Sequence, residues 1–79
     1  MIRYIRKTED AIDAIEEVKA SRLMTDSELE ARTGIDRTTL ISWRQLKRSP
    51  NLGSFLGILE ALNLDLIIAS EGGEDDEEA

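Results

Sequence analysis

Apolar residues recur along this chain in separate rhythms, and the breaks between them mark its elements. Between Thr8 and Arg22 the apolar positions include Ala11, Ile12, Ala14, Ile15 and Val18. Ala11, Ile15 and Val18 fall on one side of a helix of 3.6 residues per turn, with Ile12 and Ala14 beside them. Thr8 is the expected N-cap, with Glu9 and Asp10 in the first turn, where the helix dipole favours negative charge. Thr25-Asp26-Ser27-Glu28 then matches a capping box, a hydroxyl followed three residues later by a carboxylate, and predicts a short second helix. Gly34 ends that helix, because glycine takes a positive φ without steric cost. Ile35 is expected to enter the core and Asp36 to cap a third helix that buries Leu40 and Trp43. This helix should stop before Lys47-Arg48-Ser49-Pro50, since proline restricts the residue preceding it. Asn51 is placed to cap a fourth helix over 52–62, with an apolar stripe of Leu52, Phe55, Leu56, Leu59 and Leu62.

The two flanks follow another pattern. Ile2 and Tyr4 alternate with Arg3, and residues 64–69 carry the adjacent β-branched pair Ile67-Ile68. Both segments predict short strands. A lone strand leaves its backbone groups unpaired. The partner of 64–69 is therefore expected to be residues 2–6, the same segment of a second copy, or both, with Tyr4 packed against it. The expected architecture is mostly α, four main helices with a short β element made by the N- and C-terminal segments. Residues 1–7 form a strand or arm, 8–63 the helical domain, 64–70 a C-terminal strand for dimerisation through Leu64, Leu66, Ile67 and Ile68, and 71–79 an acidic disordered tail.

Composition narrows the chemistry. The chain has 79 residues, enough for one small domain, and no cysteine or histidine. Disulfides, Cys/His zinc sites and histidine-based catalysis are excluded. No metal or cofactor is expected. No catalytic constellation is visible either: the carboxylates of 74–78 fall in a run expected to be flexible, whereas a general acid or base needs a fixed position. A non-enzyme is the expectation. There is no apolar run long enough to cross a bilayer and no opening signal segment, so a cytoplasmic protein without membrane contact is expected.

The net charge of -7 looks unsuited to nucleic acid until it is mapped. Residues 71–79 hold six acids and no base; the rest balances ten positive against eleven negative charges. Residues 34–49 hold Arg37, Arg44, Lys47 and Arg48 against Asp36 alone. With a screening length of roughly 8 Å at physiological salt, a contact surface there feels its neighbours more than a distant tail.

The stretch Thr25–Leu66 resembles the Cro/cI-like, or Xre-type, helix-turn-helix family of phage repressors, bacterial relatives and antitoxins. The marks are Thr25, Glu28-Leu29, Gly34-Ile35, Arg37, Thr39-Leu40, Lys47-Arg48, Pro50 and the run from Leu59 to Leu66. The resemblance implies a lambda-repressor-like fold whose third helix enters the major groove of double-stranded DNA. By position it assigns Arg37, Thr38, Ile41 and Ser42 to base edges. It assigns Thr39, Arg44, Gln45, Lys47, Arg48 and the helix end at Asn51 to the DNA backbone. Arginine pairs bidentately with guanine, and helix N-termini favour phosphate. The implied function is that of a homodimeric, sequence-specific repressor of phage, prophage or bacterial type. The alternatives are an antitoxin that also represses its own operon, or a protein-binding adaptor that has lost DNA recognition. A protein partner engaged by the acidic tail is a further expectation.

Five positions depart from the family pattern. Asp26 stands where glutamine is usual, close to the DNA backbone, and would repel phosphate unless turned inward. Glu30 replaces a small alanine. Leu46 replaces the glycine that commonly ends the recognition helix. Lys19 and Arg44 stand where many members pair a base with a glutamate. Either Arg44 reaches toward DNA, or nearby acids such as Glu16 or Glu30 become its partners.

Overall fold

The computed structural model describes residues 2–70 and contains four helices in order: α1 Thr8–Ser21, α2 Asp26–Thr33, α3 Arg37–Arg44 and α4 Leu52–Ala61. Each is set by local chemistry. In α2 both halves of the capping box form: Thr25 Oγ1 accepts from the Glu28 amide at 3.1 Å, and the Thr25 amide donates to Glu28 Oε1 at 2.8 Å. Gly34 closes α2 at φ 77°. Asp36 Oδ1 accepts from the Thr38 amide at the start of α3, and Asn51 Oδ1 from the Ser54 amide at the start of α4. At α1 the expectation is off by one residue. Thr8 is already helical and Lys7 occupies the cap without a side-chain bond. The incoming chain is tied instead by Asp10, whose Oδ2 accepts from the Arg6 amide at 2.9 Å.

Helix ends show a feature that the sequence hid. Leu23, Leu46 and Asn63 adopt left-handed backbone, with φ of 53°, 60° and 58°. After each, the next amide reaches back five residues: Met24 to Lys19 O, Lys47 to Ser42 O and Leu64 to Leu59 O, at 2.8–2.9 Å. These are Schellman closures, which satisfy otherwise orphaned carbonyls. Leu46 thus makes a left-handed turn that glycine would make without strain, against a steric cost of roughly 1–2 kcal/mol.

The helices surround one core. α1 contributes Ala11, Ile12, Ile15 and Val18, α2 Leu29, α3 Leu40 and Trp43, and α4 Phe55, Ile58 and Leu59, with Leu62 just beyond. Met24, Ile35 and Leu64 pack on its edge. The stripe expected on α4 is rotated: Ile58 is fully buried, while Leu52 and Leu56 stay exposed.

The expected β element is not seen. Among the described residues neither 2–6 nor 64–70 is strand. Tyr4 is exposed and faces Arg6, whose guanidinium carbon lies 5.9 Å from the ring centre, instead of packing on a strand. Leu64 is drawn onto the core edge, but Ile67 and Ile68 are 80% and 95% exposed. The physical reason is that an isolated strand has no ladder to join. The two flanks do approach one another: Ile5 and Leu66 line the same open groove of about 440 Å³, with Leu52 and Phe55 of α4 beneath. The acidic tail lies outside the described residues.

Candidate nucleic-acid interface

Helix α2, the three-residue turn Gly34-Ile35-Asp36 and α3 form a helix-turn-helix. Leu40 and Trp43 pin one side of α3 into the core. The opposite side then has to face outward. Arg37, Thr38, Ile41 and Gln45 are exposed, and Thr39 and Ser42 are half-buried. Lys47, Arg48 and Asn51 follow, exposed, on the loop that enters α4. Asn51 Oδ1 accepts from the Ser54 amide, and the first turn of α4 presents backbone amides of the kind that favour an anion.

Arg44 has a different environment. Its Nη2 donates to Asp26 Oδ1 at 2.8 Å and Oδ2 at 2.9 Å, and lies 3.3 Å from Glu16 Oε2. Lys19 donates to the same Asp26 Oδ1, and its Nζ lies 3.5 Å from Glu16 Oε2. Two acids and two bases thus form a neutral cluster joining α1, α2 and α3. Of the alternatives open for Arg44, Glu16 is taken. Asp26, turned inward, is the larger partner. Asp26, at the start of α2, thus supplies a carboxylate that Lys19 of α1 and Arg44 of α3 share. The cationic outer side of residues 34–49 consequently rests on Arg37, Lys47 and Arg48, because Arg44 is matched by acids.

The cluster is set partly out of water. The Lys19 side chain is 8% exposed, that of Asp26 20% and that of Arg44 38%. Burial alone would raise the Asp26 carboxyl. The hydrogen bonds from Lys19 and Arg44, with their charges, outweigh burial and hold it below the usual carboxylate range. The Arg44 guanidinium is pushed up, first by its hydrogen bond to Asp26, against burial and with help from Glu16.

Sequence reasoning missed one residue. Ser27, exposed in the first turn of α2, accepts a hydrogen bond from Arg37 Nη1 at 2.9 Å. Nothing in a capping-box pattern marks its second helical position as a partner of an arginine ten residues later. Arg37 and Arg44 lie seven residues apart, two helical turns, and so share the side of α3 that faces the start of α2.

A four-helix arrangement of this kind is found in solved structures. A HipB variant in complex with an O2 20mer superposes with a TM-score of 0.78 at 21% identity, covering 90% of this chain and 99% of that one. The chain has the HipB fold. A chain of the HipA-HipB-O2-O3 complex gives 0.77 at 23% identity, over 89% of this chain and 99% of that one. One described as MDT Protein gives the same values. No family model and no curated protein matches the sequence. Among the described residues, no helix is long and apolar enough to cross a membrane.

Proposed function

We propose that the protein binds double-stranded DNA sequence-specifically and regulates transcription as a homodimer, most simply as a repressor that occludes its site. One observation carries the reading. Helix α3 is fixed by Leu40 and Trp43 so that Arg37, Thr38, Ile41 and Gln45 stand outward, with Lys47 and Arg48 on the following loop. Such a helix suits the major groove, with short polar groups and an arginine toward base edges and the basic pair toward phosphates. HipB, whose fold the chain shares, is described with O2 and O4 20mers, which we take to be duplex sites. Leu52, Leu56, Leu66, Ile67 and Ile68 leave an apolar surface uncovered in the single chain. A second copy docking there would give 64–70 the strand partner it lacks.

Selection from random duplexes tests the reading. A preferred site is expected to contain two related half-sites about 34 Å apart, one helical turn. Arg37→Ala should cost about 1–3 kcal/mol at that site and relax one base pair. Lys47→Ala should weaken all sequences alike and flatten the salt dependence. No mobility shift below ~50 mM salt, where counterion release most favours binding, would reject DNA recognition and leave a protein-binding adaptor.

A second reading, an antitoxin, is favoured by the likeness to a chain of the HipA-HipB-O2-O3 complex. It predicts a stable complex with the product of an adjacent reading frame on co-expression. Its absence, with DNA binding intact, would leave the plain regulator.

A further inference from the structure

We infer that Ser27 is a specificity-determining positioning residue: it holds the Arg37 guanidinium in the orientation that reads its base pair. The inference rests on the DNA-binding reading above and deepens it. Three features lead to it. The Ser27 Oγ–Arg37 Nη1 bond spans α2 and α3, so it fixes a long side chain to a second helix instead of leaving it to its own rotamers. Arg37 is the first residue of α3 and is exposed, so its side chain is otherwise free to sweep the surface. The guanidinium has five N–H donors in a rigid fork. Occupying one at Nη1 leaves the others to form a bidentate pair with a guanine edge.

Ser27 itself lies in a constrained place. It sits one residue after Asp26, which is bound to Lys19 and Arg44, and one before Glu28, which closes the capping box. Its backbone is therefore fixed from both sides. A hydroxyl also accepts and donates at once. Having accepted from Arg37, Ser27 retains its own proton for a phosphate oxygen, so one short side chain can couple the register of the backbone to the aim of the base-reading arginine. A free arginine side chain loses much rotamer freedom when it is ordered. Anchoring it before binding lowers the ordering cost at the correct base pair.

The test compares the base preferences of the wild type, Ser27→Ala, Ser27→Thr, Arg37→Ala and the Ser27→Ala/Arg37→Ala double variant by selection from random duplexes. Thermal melts verify that all are folded. Ser27→Ala should reduce discrimination at the base pair that Arg37→Ala relaxes, by roughly tenfold. Ser27→Thr, which keeps the hydroxyl, should restore it. The double variant should show the same preference as Arg37→Ala alone. If the wild type selects a site and Ser27→Ala keeps its full preference, the inference is overturned and the DNA reading stands. A Ser27→Ala effect that persists undiminished in the Arg37→Ala background overturns it equally. If the wild type selects no sequence, the DNA reading falls and the inference falls with it.

Discussion

Replacing Asp26 with alanine is the sharpest test of how α3 is held against α1 and α2. The carboxylate accepts from Lys19 and, through both oxygens, from Arg44. Its loss leaves both cations to Glu16, whose Oε2 is 3.5 Å from Lys19 Nζ and 3.3 Å from Arg44 Nη2. Breaking a fully buried pair costs about 3–5 kcal/mol, whereas an exposed pair contributes about 0–1 kcal/mol. This cluster lies between those limits, since Lys19 is nearly enclosed but Arg44 is more than a third exposed. We expect Asp26→Ala to cost about 2 kcal/mol, comparable to one charge-assisted hydrogen bond and its desolvated partner. For a domain of this size that lowers the melting temperature by roughly 8–16 °C. Trp43, the one tryptophan, lines the same small cavity as Glu16 and Lys19, so its fluorescence follows unfolding in urea. Protein concentration must be held fixed, because any dimerisation adds to apparent stability. Adding Lys19→Met should recover part of the loss, by removing a buried charge that has lost its main partner. A cost within about 0.5 kcal/mol, as for an ordinary surface pair, or a further loss on adding Lys19→Met, would refute the reasoning.

The same carboxylate gives a pH signature. Its folded pKa lies below the ordinary 3.8, so its stabilisation is present above that value and is lost as pH falls through the lower, folded one. The stability gap between wild type and Asp26→Asn should therefore be constant near neutrality and close in acid below about pH 4; a gap unchanged by acid would count against the ion cluster. Leu23 is 89% exposed at φ 53°, so Leu23→Gly relieves backbone strain with little packing lost. It should raise stability by about 0.5–1 kcal/mol in urea denaturation, the steric relief being partly offset by glycine's extra freedom in the unfolded chain. Thr25→Ala removes one half of a formed capping box and should destabilise by about 1 kcal/mol, with Thr25→Ser nearly neutral by the same measurement.

Much of the helical framework was legible in the sequence because its signals are local. A hydroxyl and a carboxylate three apart at Thr25 and Glu28, a glycine at 34 and the caps at Asp36 and Asn51 act within a turn of where they stand. The exposed side of α3 could be inferred in the same way, since Leu40 and Trp43 fix the buried side and periodicity does the rest. The flanks misled because β-branched residues at 64–69 state a preference that only a partner strand can satisfy. Leu46 gave no local sign of its turn. Its side chain argues against the left-handed turn, yet the closure from Lys47 to Ser42 imposes it.

Taken alone, the sequence determined the number of helices, the N-caps of α2, α3 and α4 and the composition of the outward face of α3, because each depends on neighbours within a few residues. It also marked Asp26 and the Lys19/Arg44 pair as departures, without joining the one to the other. The tertiary structure decided that they form one ion cluster, that Arg44 is matched by acids, and that Ser27 grips Arg37. Those contacts join residues seven, ten and eighteen positions apart across helix boundaries. Their formation depends on how the packed core sets α1, α2 and α3 against one another, and no periodicity within a single helix encodes that.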